Sequence, residues 1–341
     1  MTTFDDYSTA TANLPPETFL GSLVSISLRN LSQPVALPHD ARVYLPGHTG
    51  IDRPKLESWF HELGLDADYL PPDIQPVKAF QRATGKEVKC LLRREASEVE
   101  FRWLDVTPRK QRETLVRHLM RTTTDHKRSS AQADTCVAEL HYYRKTKAGH
   151  SVNVNIIEDN LEDDERDVVR ALVHESMERF KQLCVFYDNT ALRYFVRDMT
   201  VDLNAILVNR SGGTYFVHRS RHSIIERLGA LVSRMPEGSN YWIVPLVDTA
   251  YQRETVTEAF ESEVEDWGNK LIEDIAALNA RYSGDPIPPG KFADVNARLN
   301  DAMSKANEHT RLLGRTQERS AAVLDAATDA IADLATRIGA S

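Results

Sequence analysis

Apolar side chains recur along residues 256–282 at repeating intervals of four, four and three, as Val256, Phe260, Val264, Trp267, Leu271, Ile275, Leu278 and Tyr282. That spacing holds one stripe on one face of a nearly straight helix, because it averages about 3.67 residues per turn. Pro286, Pro288 and Pro289 interrupt the pattern. A second run then begins at Phe292 and continues through Val295, Leu299, Met303 and Ala306, with Leu324, Ile331 and Ile338 recurring at sevens and Ala327 and Leu334 between them. The two runs predict a long C-terminal α-helical hairpin over 251–341. Residues 321–335 are rich in alanine, so a solitary helix there buries too little to be stable and needs a partner, in its own chain or another.

Upstream the patterning alternates between periods of two and of three to four. Residues 1–18 read as a polar tail ending at Pro15-Pro16, and Leu23–Leu28 alternates as a strand. After a Pro- and Gly-rich loop carrying the short strand Val43-Tyr44-Leu45, Asp52 caps a helix with Leu56, Trp59, Phe60 and Leu63 on one face, and Gly64 ends it. Val77, Phe80 and Ala83 mark a second short helix, and Cys90–Leu92 and Val99–Leu104 read as strands. Thr107–Arg121 reads as a helix with Leu115, Val116, Leu119 and Met120 on its apolar side, followed by a loop over 122–134. Cys136–Tyr143 and Ser151–Ile157 form a hairpin.

Four carboxylates, Glu162 to Glu165, then occupy the positive end of a helix carrying Val169, Leu172, Val173, Ser176, Phe180 and Leu183. A further helix runs from Asn189 through Leu207 to the Gly212-Gly213 turn, which feeds a strand over Thr214–Val217. Ser223–Met235 is helical, and Tyr241–Val247 is a strand that pairs with the preceding one. The fold class is therefore α+β: a small mixed N-terminal body (19–134) with a basic helix and loop at its end, a central helix-strand-helix-strand unit (135–250), and the C-terminal hairpin.

Composition narrows the functional classes. With 41% hydrophobic and 27% charged residues among 341, the chain buries a sizeable core. No apolar stretch approaches the roughly 20 residues of a membrane span, and the acidic, polar start lacks a signal-peptide pattern. Cys90, Cys136 and Cys184 stand far apart, which gives neither a zinc knuckle nor a disulfide framework; all three are assigned to the core. These features place the protein in the cytoplasm. The net charge of −8 is unevenly spread: residues 86–150 hold fifteen Lys and Arg against nine Asp and Glu.

Two blocks, Leu70-Pro71-Pro72 leading to Ala79–Thr84 and Arg210–Val217 leading to a helix, resemble an uncharacterised family of proteins from actinobacteria and their phages. Together they cover well under a tenth of the chain, and where that family tends to carry proline this chain has His218. The resemblance implies a compact domain of unknown role and carries over no catalytic residue.

Motifs for chemistry are sparse. His174 is followed four residues later by Glu178, so the paired imidazoles of HExxH are missing. His218 and His222 straddle a strand-to-helix junction, and the acidic run from Glu158 lacks the alternating ligands of a calcium loop. Neither GxGxxG, GxxxxGK[ST] nor GxSxG occurs. No metal site, cofactor or catalytic residue is predicted, and the reading leans away from an enzyme.

The leading expectation is a non-catalytic interaction or assembly protein that meets itself or another protein through Phe292, Val295, Leu299, Met303, Leu324, Ile331, Leu334 and Ile338. The alternative is a nucleic-acid-binding accessory protein. It would use Arg109, Lys110, Arg112, Arg117, Arg121, Lys127, Arg128, Arg144, Lys145 and Lys147 as cations and Tyr142 as a stacking platform. An enzyme with an unrecognised site is the third reading.

Overall fold

A computed structural model describes residues 15–31, 35, 37–108, 113–125, 134–146, 149–209, 213–283, 286–314 and 318–337. The fold is α+β, as the patterning predicts, and the chain gathers into two compact units. No helix among the described residues is long and apolar enough to cross a membrane.

One unit comprises residues 28–195 with 234–239. Its six-stranded sheet is an antiparallel meander in the order β2 (Arg42–Tyr44), β3 (Lys89–Arg93), β4 (Ser97–Asp105), β5 (Thr114–Asp125), β6 (Thr135–Thr146) and β7 (Gly149–Ile156). Helices α2 (Pro76–Ala83) and α3 (Asp163–Val185) contribute to its core, in which Phe80 stacks on Tyr142 at 4.9 Å and meets Phe180 edge-on at 5.7 Å. Helix α1 (Arg53–Leu63) starts and stops as expected: Asp52 accepts from the Lys55 N–H, and Gly64 takes the left-handed conformation at φ 61°. The acidic start of α3 forms a capping box, in which the Glu162 side chain accepts from the N3 backbone while Glu165 reaches back to the Glu162 N–H.

Of the helix expected over Thr107–Arg121, residues 114–121 are part of strand β5 instead, and residues 109–112 lie outside the described residues. β5 pairs with β4 from Asp105↔Arg117 to Ser97↔Asp125, and with β6 from Thr114↔Tyr143 to Arg121↔Thr135. Leu115 and Leu119 supply the core side of a period-two pattern, while the β-branched Thr114, Val116 and Thr122–Thr124 suit a pleated surface. Ladders on both sides outweigh a weak local helical period. The same ladder joins β5 to β6 across residue 134, where the sequence suggested a domain limit.

The other unit comprises the chain up to Ser27 with 196–233 and 240–341. Its four strands lie in the order β10 (Asn240–Val247), β1 (Phe19–Ser27), β9 (Thr214–His218) and β8 (Ile206–Asn209), all antiparallel. The strands expected to pair with each other, β9 and β10, are therefore separated by β1. Helix α4 (Asn189–Asp202) ends sooner than its apolar pattern suggests, because Asn204 adopts φ 57° and turns the chain into β8. Helix α5 (His222–Ser233) precedes β10.

Three helices close this unit: α6 (Ala250–Arg281), α7 (Pro289–Leu313) and α8 (Glu318–Ala335). The second apolar run is divided by Gly314, which ends α7 in the left-handed region at φ 65°. Val256, Phe260, Leu271, Val295, Leu324 and Leu334 bury together with Leu20, Ile206 and Phe216 of the sheet. Gly268 brings α6 close to α8, since a Cβ at that position would collide with Val323.

Candidate functional site

A concavity of about 280 Å³ lies between α6 and α7, with the turn before β8 at one side. Helical spacing builds it: Phe260, Glu263, Val264 and Trp267 rise from one face of α6, and Arg298, Asp301, Ala302, Lys305 and His309 from one face of α7. Phe260, Val264 and Ala302 give it an apolar floor because the same side chains belong to the unit's core. Its charged members are two carboxylates and two cations.

Several of these groups are held in place. Glu263 accepts the Leu207 N–H at 2.9 Å, which satisfies a backbone donor of strand β8, and Arg298 pairs with Asp274 at 3.0 Å. His309 is only 2% exposed and lies 4.4 Å from the Phe260 ring, centroid to centroid. Its Nδ1 has no hydrogen-bond partner. Burial pushes the imidazole pKa down to about 4, although neighbouring Glu308 opposes the shift. At neutral pH the ring is therefore uncharged. Next to it, Glu308 accepts from the Asn204 side-chain amide and lies 3.4 Å from Arg221.

A family model matches residues 44–340, most of the chain and parts of both units. The chain belongs to DUF6744, a family of unknown function. No curated protein and no solved structure matches it. The resemblance to an uncharacterised family thus holds at that level.

The residues singled out from sequence fall in quite different surroundings in this DUF6744 chain. Of the candidate protein-contact residues, Val295, Leu299, Leu324, Ile331 and Leu334 are buried in the unit's own core, and Phe292 is half-buried against it. Met303 is 40% exposed, and Ile338 lies outside the described residues. The apolar stripes are thus covered by the chain itself.

The basic candidates are also dispersed. Arg117 is buried and pairs with Asp105 at 2.5 Å. Arg121 donates to fully buried Glu165 at 3.0 Å and to the Asn160 carbonyl at 3.2 Å. Tyr142 is buried in the aromatic cluster. Arg144 is exposed; Arg109, Lys110, Arg112, Lys127, Arg128 and Lys147, and the side chain of Lys145, lie outside the described residues.

The histidine pairs weighed from sequence have local roles. His218 caps the turn at Ser220, and His222 lies 3.3 Å from Glu226 in an i,i+4 pair. The cleft residues were missed, with the exception of the stripe members Phe260, Val264 and Trp267. Arg298, Asp301, Lys305 and His309 do recur at helical spacing, but on a polar face that looks like any solvated surface until α6 is laid beside it.

Proposed function

We propose that this DUF6744 chain is a non-catalytic interaction protein, whose cleft between α6 and α7 takes up a charged polypeptide segment of a partner. The observation that carries this reading is the unpartnered Nδ1 of buried His309 in a cleft bearing charge of both signs. A buried polar atom without a partner costs free energy, which a ligand that supplies the missing hydrogen bond recovers. An imidazole held neutral at pH 7 acts as a fixed hydrogen-bonding group and is a poor general acid, so recognition fits better than proton transfer. The mixed charges set the polarity and register of whatever enters. A second copy of the chain is one partner of this kind. A cytoplasmic setting and an origin in actinobacteria or their phages belong to the same reading. Nucleic-acid binding has less support, because Arg117 and Arg121 are engaged in ion pairs and Tyr142 is stacked within the core.

The test is selection of a displayed peptide library on the full chain, with counter-selection on the Asp301→Lys, Lys305→Glu double variant. Enriched peptides should bind the parent at least about tenfold more tightly than the variant, equivalent to about 1.4 kcal/mol. Peptides that bind both alike, or no enrichment at all, would contradict the proposal.

A further inference from the structure

A second cluster, independent of the cleft, stands on the face of the six-stranded sheet opposite its aromatic core. His118 of β5 lies directly across from Glu139 of β6, and His141 follows two residues along on the same side of that strand. The Glu139 carboxylate is 3.5 Å from His118 Nε2 and 3.8 Å from His141 Nε2. Cys136 is three residues before Glu139, and in a regular strand it would point to the other face. The ladder corrects this: Leu119 pairs with Ala138 but the next residue, Met120, pairs with Cys136, so Val137 is the extra residue of a bulge. Val137 and Ala138 are both fully buried, while Cys136 turns out beside Glu139 and is only partly buried. One donor atom each from His118, Cys136 and Glu139 lies within 4.8 Å of the other two.

We propose that His118, Cys136 and Glu139 bind a divalent transition-metal ion of the zinc type, with solvent completing its coordination. One imidazole nitrogen, one sulfur and one carboxylate oxygen form a donor set that suits this borderline-soft ion, whereas calcium and magnesium prefer oxygen throughout. Zinc bonds of about 2.0–2.3 Å set tetrahedral ligand atoms about 3.5 Å apart. The His118–Glu139 pair is already at 3.5 Å, and the longest separation among the three donors has to close by about 1 Å, within reach of side-chain rotation on a partly exposed face. Coordination displaces the Cys136 thiol proton to solvent and involves no change of oxidation state. Asn155 of β7 occupies the position across from Glu139, where its amide side chain can orient that ligand.

The full chain is titrated with Zn²⁺ against a chromophoric chelator, and a second sample is loaded with Co²⁺ for absorption spectroscopy. One ion per chain is expected, with a thiolate-to-cobalt charge-transfer band and the intense visible bands of four-coordinate cobalt. Cys136→Ser should abolish the charge-transfer band. His118→Gln should weaken zinc binding by more than about a hundredfold, since loss of an outer-shell partner alone can cost that much. Cys136 and His118 are both partly exposed, so circular dichroism should remain that of the parent. Absence of stoichiometric zinc binding would overturn the proposal. So would an affinity unchanged in the Cys136→Ser, His118→Gln double variant, which would leave only a cross-strand acid–base pair.

Discussion

His309 and Glu165 show how differently two buried ionisable residues can be accommodated. His309 is kept neutral, and its cost appears as pH dependence. In the unfolded chain the imidazole titrates near 6.5, whereas in the fold it does so at about 4. Between those values the unfolded state binds more protons, so stability falls as pH drops through that window and levels off below it, by about 3 kcal/mol in all. Thermal unfolding of the parent and of His309→Leu, followed from pH 7 to pH 4, should show a shallower decline in the variant; parallel curves would contradict this account of the ring. Glu165 is instead paired, since Arg94 and Arg121 each donate to it at 3.0 Å. Glu165→Ala leaves two partly buried guanidiniums facing each other and should cost about 3 kcal/mol in urea unfolding. Reversing the charge of Arg121 would likewise break this structural pair, so a resulting loss of nucleic-acid binding would report on the fold first.

At the scale of elements, α6 depends on a close approach that only glycine permits. Gly268→Val places a side chain where Val323 of α8 already lies. Overpacking of this kind typically costs about 1–3 kcal/mol, so the variant should melt lower than a Gly268→Ala chain, which adds less bulk; equal melting of the two would contradict the packing described. Element identity was legible where two signals agreed. Asp52, Pro54 and Gly64 bound α1 by capping chemistry, and the Glu162–Glu165 run marked the start of α3. It was illegible where the deciding partner lay elsewhere in the sequence. Leu115, Val116, Leu119 and Met120 fit a helical face as well as a strand, and only pairing with β4 and β6 selects β5. Leu207 fits the α4 stripe until Asn204 turns the chain. Cys136 and Glu139 are three apart, which would set them on opposite faces of a regular strand, and the bulge at Val137 alone unites them.

For the molecule as a whole, the α+β class and the apolar stripes of the C-terminal helices were readable from sequence, because one hydrophobic period persists over many turns. The destination of those stripes was not, since periodicity specifies that a face is buried and says nothing of what buries it. Here sheet residues Leu20, Ile206 and Phe216 cover it together with the neighbouring helices. Leu334→Ala, at a fully buried site on α8, should therefore destabilise the monomer by about 3 kcal/mol, measured by denaturant unfolding at a protein concentration too low for association. The central claim, that α6, α7 and α8 find their packing partners within one chain, is tested most directly by amide hydrogen exchange over a wide range of protein concentration. Protection of α8 that is strong and independent of concentration is the predicted result. Exchange of its amides at unprotected rates in dilute solution, with protection gained only on concentration, would show that a second chain does the covering.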